Sequence, residues 1–337
     1  MHSFLNDYSE GAHPNVLQAL TESNLRQTCG YGLDPDCQKA ADLIRKLCNA
    51  PDAAVHFLVG GTQTNLVAID ALLKPYEAVI AASTGHVSRH ETGAIEASGH
   101  KVCTVSAPDG KLTPELVESV LNDHDGTEHM VSPRFVYISN TTETGTVYNL
   151  KELQALRACC DAHGLLLYLD GARLGSAIAA GGPSLPELAA LTDAFYIGGT
   201  KNGALFGEAL VLARPQADFR WYIKRRGAML AKGRLLGIQF QALLEDGLYF
   251  DIARHANELA LRLREGVRTL GYPLMVESPS NQQFFILPKA AFSKLTAQGC
   301  EFEVEWEKAD QVCIRLVTSW ATPPAAIDEF LQALAAV

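Results

Sequence analysis

The 337-residue sequence lacks several features that mark particular classes of protein. It has no run of about 18 apolar residues, so we expect no segment that spans a membrane. Residues 1–7 contain no basic patch followed by an apolar core, so we expect no signal peptide and a cytoplasmic location. The net charge is −10 and no basic run occurs, which argues against nucleic-acid and membrane partners and favours a small-molecule partner.

The eight cysteines lack the spacing of the common metal-binding motifs. None forms a C-x-x-C pair, and several lie within apolar segments. Because the common zinc sites use paired ligands, we expect no metal site. Buried thiols in a reducing compartment are the simplest interpretation.

The chain does contain a long alternation of apolar strands and amphipathic helices. Strands are predicted at 54–59, 78–82, 101–105, 134–139, 165–169, 194–198 and 208–213, and helices at 35–49, 62–73, 88–97, 113–122 and 150–163. Strand 165–169 is apolar throughout, as expected where both faces of a sheet are covered. This order predicts an α/β fold, with a mostly parallel sheet flanked by helices.

After about residue 217 the alternation stops. Long helices are predicted at 219–245 and 249–270, followed by a strand at 282–287, a helix at 289–298, a strand at 312–318 and a helix at 323–335. We predict a large domain at 1–250, which includes an N-terminal segment at 1–34, and a small C-terminal α+β domain at 251–337. No Gly/Pro-rich linker separates them, so we expect them to pack firmly together.

Two residues that follow neighbouring strands suggest a cofactor. Asp170 ends one predicted strand, and Lys201 follows the next in Gly-Gly-Thr-Lys. Pyridoxal phosphate needs an amine to form a Schiff base and an anion to keep its pyridine nitrogen protonated. A lysine and a carboxylate at one sheet edge suit both needs. Each also has a simpler interpretation: Lys201 could be a solvated turn residue, and Asp170 could pair with Arg173 or cap a helix.

Two further segments follow strands at the same predicted edge. Residues 60–65 open a helix, where free amides suit a phosphate, although a plain helix cap is the simpler interpretation. His86 could stack on an aromatic cofactor, act as a base, or be a hydrogen-bonded loop residue. His86 and His90 could share a helix face, but the zinc-protease motif needs Glu where Val87 stands. The occurrence of all these signals on one sheet edge favours a single site.

Taken together, these segments resemble the threonine aldolase family of pyridoxal-phosphate enzymes, within the fold-type-I, aspartate aminotransferase-like superfamily. The likeness spans nearly the whole chain and is carried by residues 6–9, 31–35, 60–65, 85–86, 91–94, 169–173, 199–201 and 314–318. It implies pyridoxal phosphate as cofactor, an amino-acid substrate, and a homotetramer formed as a dimer of dimers with active sites at the dimer interface.

The resemblance also implies a role for each matched residue. Lys201 would carry the cofactor, Asp170 would pair with its ring nitrogen, and His86 would stack on the ring. The other implied cofactor ligands are Gly61, Thr62, Thr200 and Arg173, with Arg234 coming from a neighbouring subunit. The implied substrate ligands are Asn6, Tyr31 from the partner subunit, and the pair Arg173 and Arg315, whose guanidinium groups would clamp the substrate carboxylate.

One departure from the family pattern concerns the catalytic base. Many members carry a second histidine in an Asn-Thr-His-Asn segment, whereas this chain has Thr142 and Glu143 there. The base is therefore open between His86, directly or through a water, and Glu143. The implied reaction is retro-aldol cleavage of L-threonine, L-allo-threonine and related β-hydroxy-α-amino acids to glycine and an aldehyde. The alternatives are another fold-type-I enzyme, either a β-eliminating lyase or a racemase, and a nucleotide-binding α/β protein.

Overall fold

A seven-stranded sheet covered by helices forms the larger part of the structure. The computed structural model describes residues 2–337. The strands are β1 Ala54–Leu58, β2 Glu77–Ala82, β3 Val102–Val105, β4 Ser132–Ser139, β5 Leu166–Asp170, β6 Ala194–Gly198 and β7 Glu208–Leu212. Their order across the sheet is β1-β7-β6-β5-β4-β2-β3. The predicted α/β architecture is therefore confirmed.

Strand β7 is the exception in a mostly parallel sheet. It pairs antiparallel with β6 on one side and with β1 on the other, whereas β6, β5, β4, β2 and β3 are parallel neighbours. Because β7 runs in reverse, its first residue, Glu208, lies beside Gly198, the last residue of β6. A carboxylate is thereby added to the edge where the parallel strands end.

The helices pack on both faces of this sheet and on one another. They are α1 Pro14–Ser23, α2 Pro35–Leu47, α3 Gly61–Leu72, α4 His86–Arg89, α5 Ala94–Ala97, α6 Pro114–Asn122, α7 Leu150–His163, α8 Leu174–Ala179, α9 Leu185–Leu191, α10 Phe219–Arg225, α11 Arg234–Leu244, α12 Leu248–Thr269, α13 Lys289–Ala297 and α14 Pro324–Ala335. No helix within residues 2–337 is both long enough and apolar enough to cross a membrane.

Side-chain alternation along β5 supplies two separate cores. Leu167 and Leu169 point into one apolar cluster, and Tyr168 points into the cluster on the opposite face. Each leucine is fully buried, which is worth about 1.5–3 kcal/mol per side chain. Asp170 follows Tyr168 by two residues and so shares its face of the sheet, where α3 also packs.

A small antiparallel sheet follows the large one in the chain. Its strands are β8 Gln282–Pro288, β9 Glu303–Glu307 and β10 Gln311–Val317, in the order β8-β10-β9. A third apolar core lies here and includes Phe4 from the N-terminal segment, whose backbone bonds to Glu301 and Val317. Helix α12 runs through residue 250, the end of the predicted large domain, and the division at that residue stays a prediction.

The structure corrects several predicted boundaries. The predicted helix at 219–245 is wrong, because residues 226–233 interrupt it and Gly227 turns there with a φ of 66°. The predicted helix at 88–97 is two single turns, separated where Thr92 and Gly93 have φ values of 53° and 70°. Helices α1, α8 and α9 and strand β9 were not predicted. Strand β9 was missed because four of its five residues are exposed.

Candidate active site

Asp170 is the buried centre of the candidate site. It is 3% exposed, and its two oxygens accept four hydrogen bonds. Oδ2 accepts from the Asn65 amide at 2.9 Å and the Tyr137 hydroxyl at 2.5 Å, and Oδ1 from the Tyr196 hydroxyl at 2.5 Å and the Ala172 N–H at 3.0 Å. These donors satisfy a carboxylate that is costly to bury alone, and they fix its position.

The donors to Asp170 come from the elements on either side of β5. Tyr137 lies in β4 and Tyr196 in β6, while the hydroxyl of Tyr168 donates to the Asn65 carbonyl at 3.0 Å and so orients its amide toward Asp170. Burial and the charge of Asp170 raise the pKa of Tyr137 and Tyr196 well above the usual range, so both hydroxyls stay donors. The sequence analysis did not identify this network. The signal that could have revealed it is a single tyrosine in each of three adjacent apolar strands, β4, β5 and β6.

His86 begins α4 and is held by Glu91. The ring nitrogen Nδ1 lies 2.8 Å from Glu91 Oε1, which also accepts from Asn65 at 2.7 Å. Burial lowers the pKa of His86, but the hydrogen bond that His86 donates to Glu91 and the charges of Glu143 and Asp170 raise this pKa above its usual value overall. Helix α4 ends after a single turn, with His90 at a φ of −122°, and Glu91 reaches back to the ring from just beyond this end.

Lys201 lies in the loop between β6 and β7 and is partly buried. Its Nζ forms no hydrogen bond or ion pair with any residue of 2–337, and it lies 5.7 Å from the ring centre of Tyr8. Burial and the positive charge of Arg173 lower the pKa of this amine, which favours the neutral, nucleophilic form. The interpretation of Lys201 as a turn residue free in solvent is therefore wrong.

Glu208 holds the loop that carries Lys201. Its Oε2 accepts from the Gly199 N–H at 3.0 Å and its Oε1 from the Thr200 hydroxyl at 2.7 Å. The Gly207 N–H donates in turn to the Thr200 oxygen at 3.0 Å. Burial raises the pKa of Glu208 to about 8, although the hydrogen bonds from Thr200 and Gly199 act to lower this pKa. A cofactor contact for Thr200 stays a prediction, because its hydroxyl is used in fixing the loop.

Arg173 pairs with Asp7, not with Asp170, so that alternative interpretation of Asp170 is wrong. Arg173 Nε and Nη2 donate to the two oxygens of Asp7 at 2.7 and 3.0 Å, and Asp7 also accepts from Asn281 at 2.9 Å. The two side chains are 8% and 1% exposed. Nη1 has no hydrogen-bond partner in residues 2–337 and can donate to a ligand. Asn6 accepts the backbone N–H two residues ahead at 2.9 Å, beside Asp7.

The 60–65 segment lies against the Asp170 network. A β-carbon at Gly61 would lie 3.0 Å from the Tyr196 hydroxyl that donates to Asp170. No side chain caps α3, because Gly60 stands at the cap position. The interpretation as a plain helix cap stays open, because the Gly60 carbonyl accepts from the Thr64 N–H at 3.0 Å. The first N–H groups of α3, including that of Thr62, remain available to an anion.

Glu143 lies close to the charged groups of the candidate site, whereas Arg315 is paired with carboxylates of the small sheet. The charge of Glu143 acts on His86, Arg173 and Lys201, so this carboxylate lies within the candidate site. Arg315 instead forms ion pairs on strand β9, at 3.1 Å with Glu303 and at 3.5 Å with Glu305. A substrate carboxylate would therefore have to replace at least one of these two. The substrate role of Arg315 stays a prediction.

Tyr31 and Arg234 have contacts of their own elsewhere. Tyr31 is 46% exposed, and its carbonyl accepts from Arg220 at 3.1 Å. Arg234 donates to the Ser23 carbonyl at 2.6 Å, at the end of α1. Within residues 2–337, no hydrogen bond or ion pair links either residue to Lys201. Their roles across a subunit interface stay predictions.

Comparison with known proteins places this geometry in a family. The model of the beta-eliminating lyase family matches residues 7–290. The chain is 34% identical to a low specificity L-threonine aldolase from Pseudomonas sp., over 99% of this chain and 97% of that one. The chain belongs to the threonine aldolases of the beta-eliminating lyase family. Its structure matches that of Leishmania major threonine aldolase with a TM-score of 0.97 and 48% identity, covering 99% and 98% of the two chains.

Membership of the threonine aldolases confirms the predicted class, a lyase, and the predicted cofactor, pyridoxal phosphate. An aspartate aminotransferase from Thermus thermophilus matches with a TM-score of 0.73 at 18% identity, over 99% of this chain and 91% of that one. At that identity the match bears on the fold alone, and it confirms fold type I. The nucleotide-binding alternative receives no support from these comparisons.

Proposed function

We propose that the protein is a low-specificity L-threonine aldolase that uses pyridoxal phosphate. Its substrates would be L-threonine, L-allo-threonine and related β-hydroxy-α-amino acids, and its products glycine and an aldehyde. One observation carries the proposal: Lys201, an amine without an ion pair, lies at the same sheet edge as the fully hydrogen-bonded Asp170, in a chain related over its whole length to such enzymes.

The residues at this edge fit the cofactor. Lys201 would hold it through the amine, Asp170 would accept from the ring nitrogen, and His86 would lie against the ring. The free amides of Gly61 and Thr62 would bind the phosphate. Because four donors already occupy Asp170, the ring nitrogen would share an oxygen with one of them. When bound, pyridoxal phosphate withdraws electrons from the substrate α-carbon, so that a bond to this carbon can break.

The remaining groups would position the substrate and move its proton. Asp7 holds Arg173 by two hydrogen bonds, which leaves Nη1 for the substrate carboxylate, with Arg315 as the second clamp. Glu91 holds Nδ1 of His86 and leaves Nε2 as the base for the β-hydroxyl proton. Loss of that proton accompanies cleavage of the Cα–Cβ bond and release of the aldehyde. A proton returned to the α-carbon then gives glycine, and Glu143 is the second candidate base.

Assembly and location form part of the same proposal. We infer a homotetramer whose dimer interface brings Tyr31 and Arg234 to a neighbouring site. Trp221, which lines a cavity together with Tyr31, is 78% exposed, and Leu25 and Leu33, near Tyr31 in the chain, are 93% and 66% exposed. These exposed apolar side chains support burial against another copy. Light scattering after gel filtration tests the tetramer. Seven of the eight cysteines are buried, which is compatible with a reducing, cytoplasmic setting that stays a prediction.

The direct experiment begins with the purified holoenzyme. Borohydride reduction followed by peptide mapping should find the cofactor on Lys201, and L-threonine and L-allo-threonine should each yield acetaldehyde and glycine. Lys201→Ala should abolish both results, whereas Lys232→Ala, at an exposed loop position, should abolish neither. Failure to label Lys201 would contradict the cofactor assignment. A labelled enzyme that releases no aldehyde would favour the β-eliminating or racemase alternative.

A further inference from the structure

A cysteine, a histidine and a glutamate meet on the outside of the protein, between α6 and α7. Cys159 and His163 are four residues apart on α7 and therefore lie on the same helix face. Glu118 faces them from α6, with its Oε1 3.5 Å from Nε2 of His163. One ligand atom from each of the three side chains lies within 4.8 Å of the other two.

We propose that Glu118, Cys159 and His163 form a binding site for a zinc-like divalent cation. Zinc bonds of about 2.0–2.3 Å in a tetrahedron place ligand atoms roughly 3.3–3.6 Å apart. The distance between Glu118 and His163 already has this value, and the separations from the thiol need to shorten by about 1.5 Å at most. A thiolate, an imidazole and a carboxylate are ligands that zinc accepts.

The surroundings of the three side chains would let an ion enter from solvent and would leave room for a fourth ligand. The side chains of His163 and Glu118 are 41% and 50% exposed, whereas Cys159 is 7% exposed beneath them. An ion could therefore enter from solvent, bind three side chains and keep a water as its fourth ligand. The simpler interpretation is a surface ion pair between Glu118 and His163, beside a thiol that donates to the Pro114 carbonyl at 3.9 Å. That hydrogen bond is long and weak, so an ion could replace it.

Ion binding must displace a proton from Cys159. Burial and the charges of Glu118 and Glu115 raise the pKa of this thiol, so the metal-free side chain is protonated at neutral pH. On binding, the sulfur–hydrogen bond is exchanged for a sulfur–metal bond and one proton leaves to solvent, with no change in oxidation state. The two carboxylates that oppose a free thiolate would then attract the cation.

The ion would tie two helices together and take no part in catalysis. His163 is the last residue of α7, and β5, which ends in Asp170, begins three residues later. A bound ion would fix α6 to the end of α7 and so stabilise the layer that covers this part of the sheet. The proposed ligands do not follow a C-x-x-C pattern, because two of them have a C-x-x-x-H helix spacing and the third comes from another helix.

The test uses the holoenzyme after chelation and desalting. Titration with Zn²⁺, followed by native mass spectrometry, should give one ion per subunit, and Co²⁺ should give a thiolate charge-transfer band. Cys159→Ser should abolish the band, and Cys159→Ser and His163→Gln should each weaken zinc binding by at least about 10–100-fold, the loss typical of changing even an outer partner of a metal site. His163 is exposed, so its replacement leaves the core intact.

Cys160→Ser provides the matched control. Cys160 is adjacent to Cys159 but fully buried on another face of α7, and its replacement should leave affinity and the cobalt band unchanged. Release of about one proton per ion in weakly buffered solution should accompany binding to the wild-type protein. Equal binding by Cys159→Ser and the wild type, or a cobalt spectrum without a thiolate band, would overturn the proposal.

Discussion

The two sheets differ in the partners that hold their charged residues. In the large sheet, Asp170 is buried and held by neutral donors from Asn65, Tyr137 and Tyr196. In the small sheet, Arg315 is held by Glu303 and Glu305, whose side chains are 49% and 30% exposed. Neutral donors fix a charge without cancelling it, whereas exposed carboxylates can be replaced by a carboxylate from a ligand.

This contrast indicates a division of labour. The large sheet holds its groups in place before any ligand arrives, and preorganised polar groups cost no rearrangement during reaction. The small sheet carries the Arg315 guanidinium, whose present partners are carboxylates, as is the group that an amino-acid substrate would offer. Substitutions in the first region should therefore damage stability and cofactor retention, and substitutions in the second should change substrate affinity alone.

The largest effect is expected at Asp170. Asp170→Ala would leave the hydroxyls of Tyr137 and Tyr196 and the amide of Asn65 without their acceptor, at about 1–3 kcal/mol for each buried group that finds no other partner. We expect the free energy of unfolding of the cofactor-free protein to fall by about 3–5 kcal/mol, in urea titrations. Cofactor should also be lost on gel filtration.

Tyr196→Phe is the graded control for Asp170→Ala, because it removes one donor and leaves the carboxylate. Its cost should be about 1 kcal/mol, with the cofactor retained. If Asp170→Ala were no more destabilising than Tyr196→Phe, the Asp170 network would not be the rigid centre of the site.

A second test concerns the pair His86 and Glu91. Glu91→Gln removes the carboxylate whose hydrogen bond raises the pKa of His86, so that pKa should fall. The acidic limb of the profile of kcat against pH should then move to lower pH. Because His86 itself remains, kcat should drop by less than the roughly 10²–10⁴-fold that a positioned general base contributes. Glu96→Gln, on α5 close by in the chain, is the control. An unmoved acidic limb would favour Glu143 as the base.

Glu208 should make stability depend on pH. Its pKa rises from an ordinary value of 4.5 to about 8 in the folded protein, so the folded state binds the proton more tightly than the unfolded state does. The resulting stability is complete below pH 4.5 and is lost as the pH rises through 8. In Glu208→Gln this loss should disappear, which urea titrations at pH 5, 7 and 9 would measure. A wild-type slope retained in the variant would contradict this assignment.

Much of the site could be predicted because it lies where strands end. Asp170, Lys201 and the 60–65 segment each follow an apolar run, and the carboxyl ends of parallel strands meet at one edge. Asp7 could not be placed in this way, because its partner Arg173 is 166 residues distant in the chain. Its meeting with Arg173 depends on how the N-terminal segment packs against the large sheet.

The antiparallel direction of β7 could have been predicted from the sequence. Only nine residues, 199–207, separate β6 from β7, and a parallel crossover needs about a dozen or more. The antiparallel return places Glu208 at the site edge, and reading the loop length would have identified it. Glu91 was harder to predict, because its contact with His86 requires α4 to end after one turn at His90, whose φ of −122° departs from the helical pattern.

The smallest effect is expected at Glu305, and it bears most directly on the small sheet. Glu305→Gln removes one of the two carboxylates paired with Arg315, at least one of which a substrate carboxylate would have to replace. We expect KM for L-threonine to fall about 2–5-fold with kcat unchanged, since a partly exposed ion pair is worth at most about 1 kcal/mol. Glu307 lies on the same strand as Glu305 but pairs with Lys289 of α13, so Glu307→Gln should change neither constant. A higher KM in Glu305→Gln would mean that Glu305 orients Arg315 for the substrate and does not compete with it.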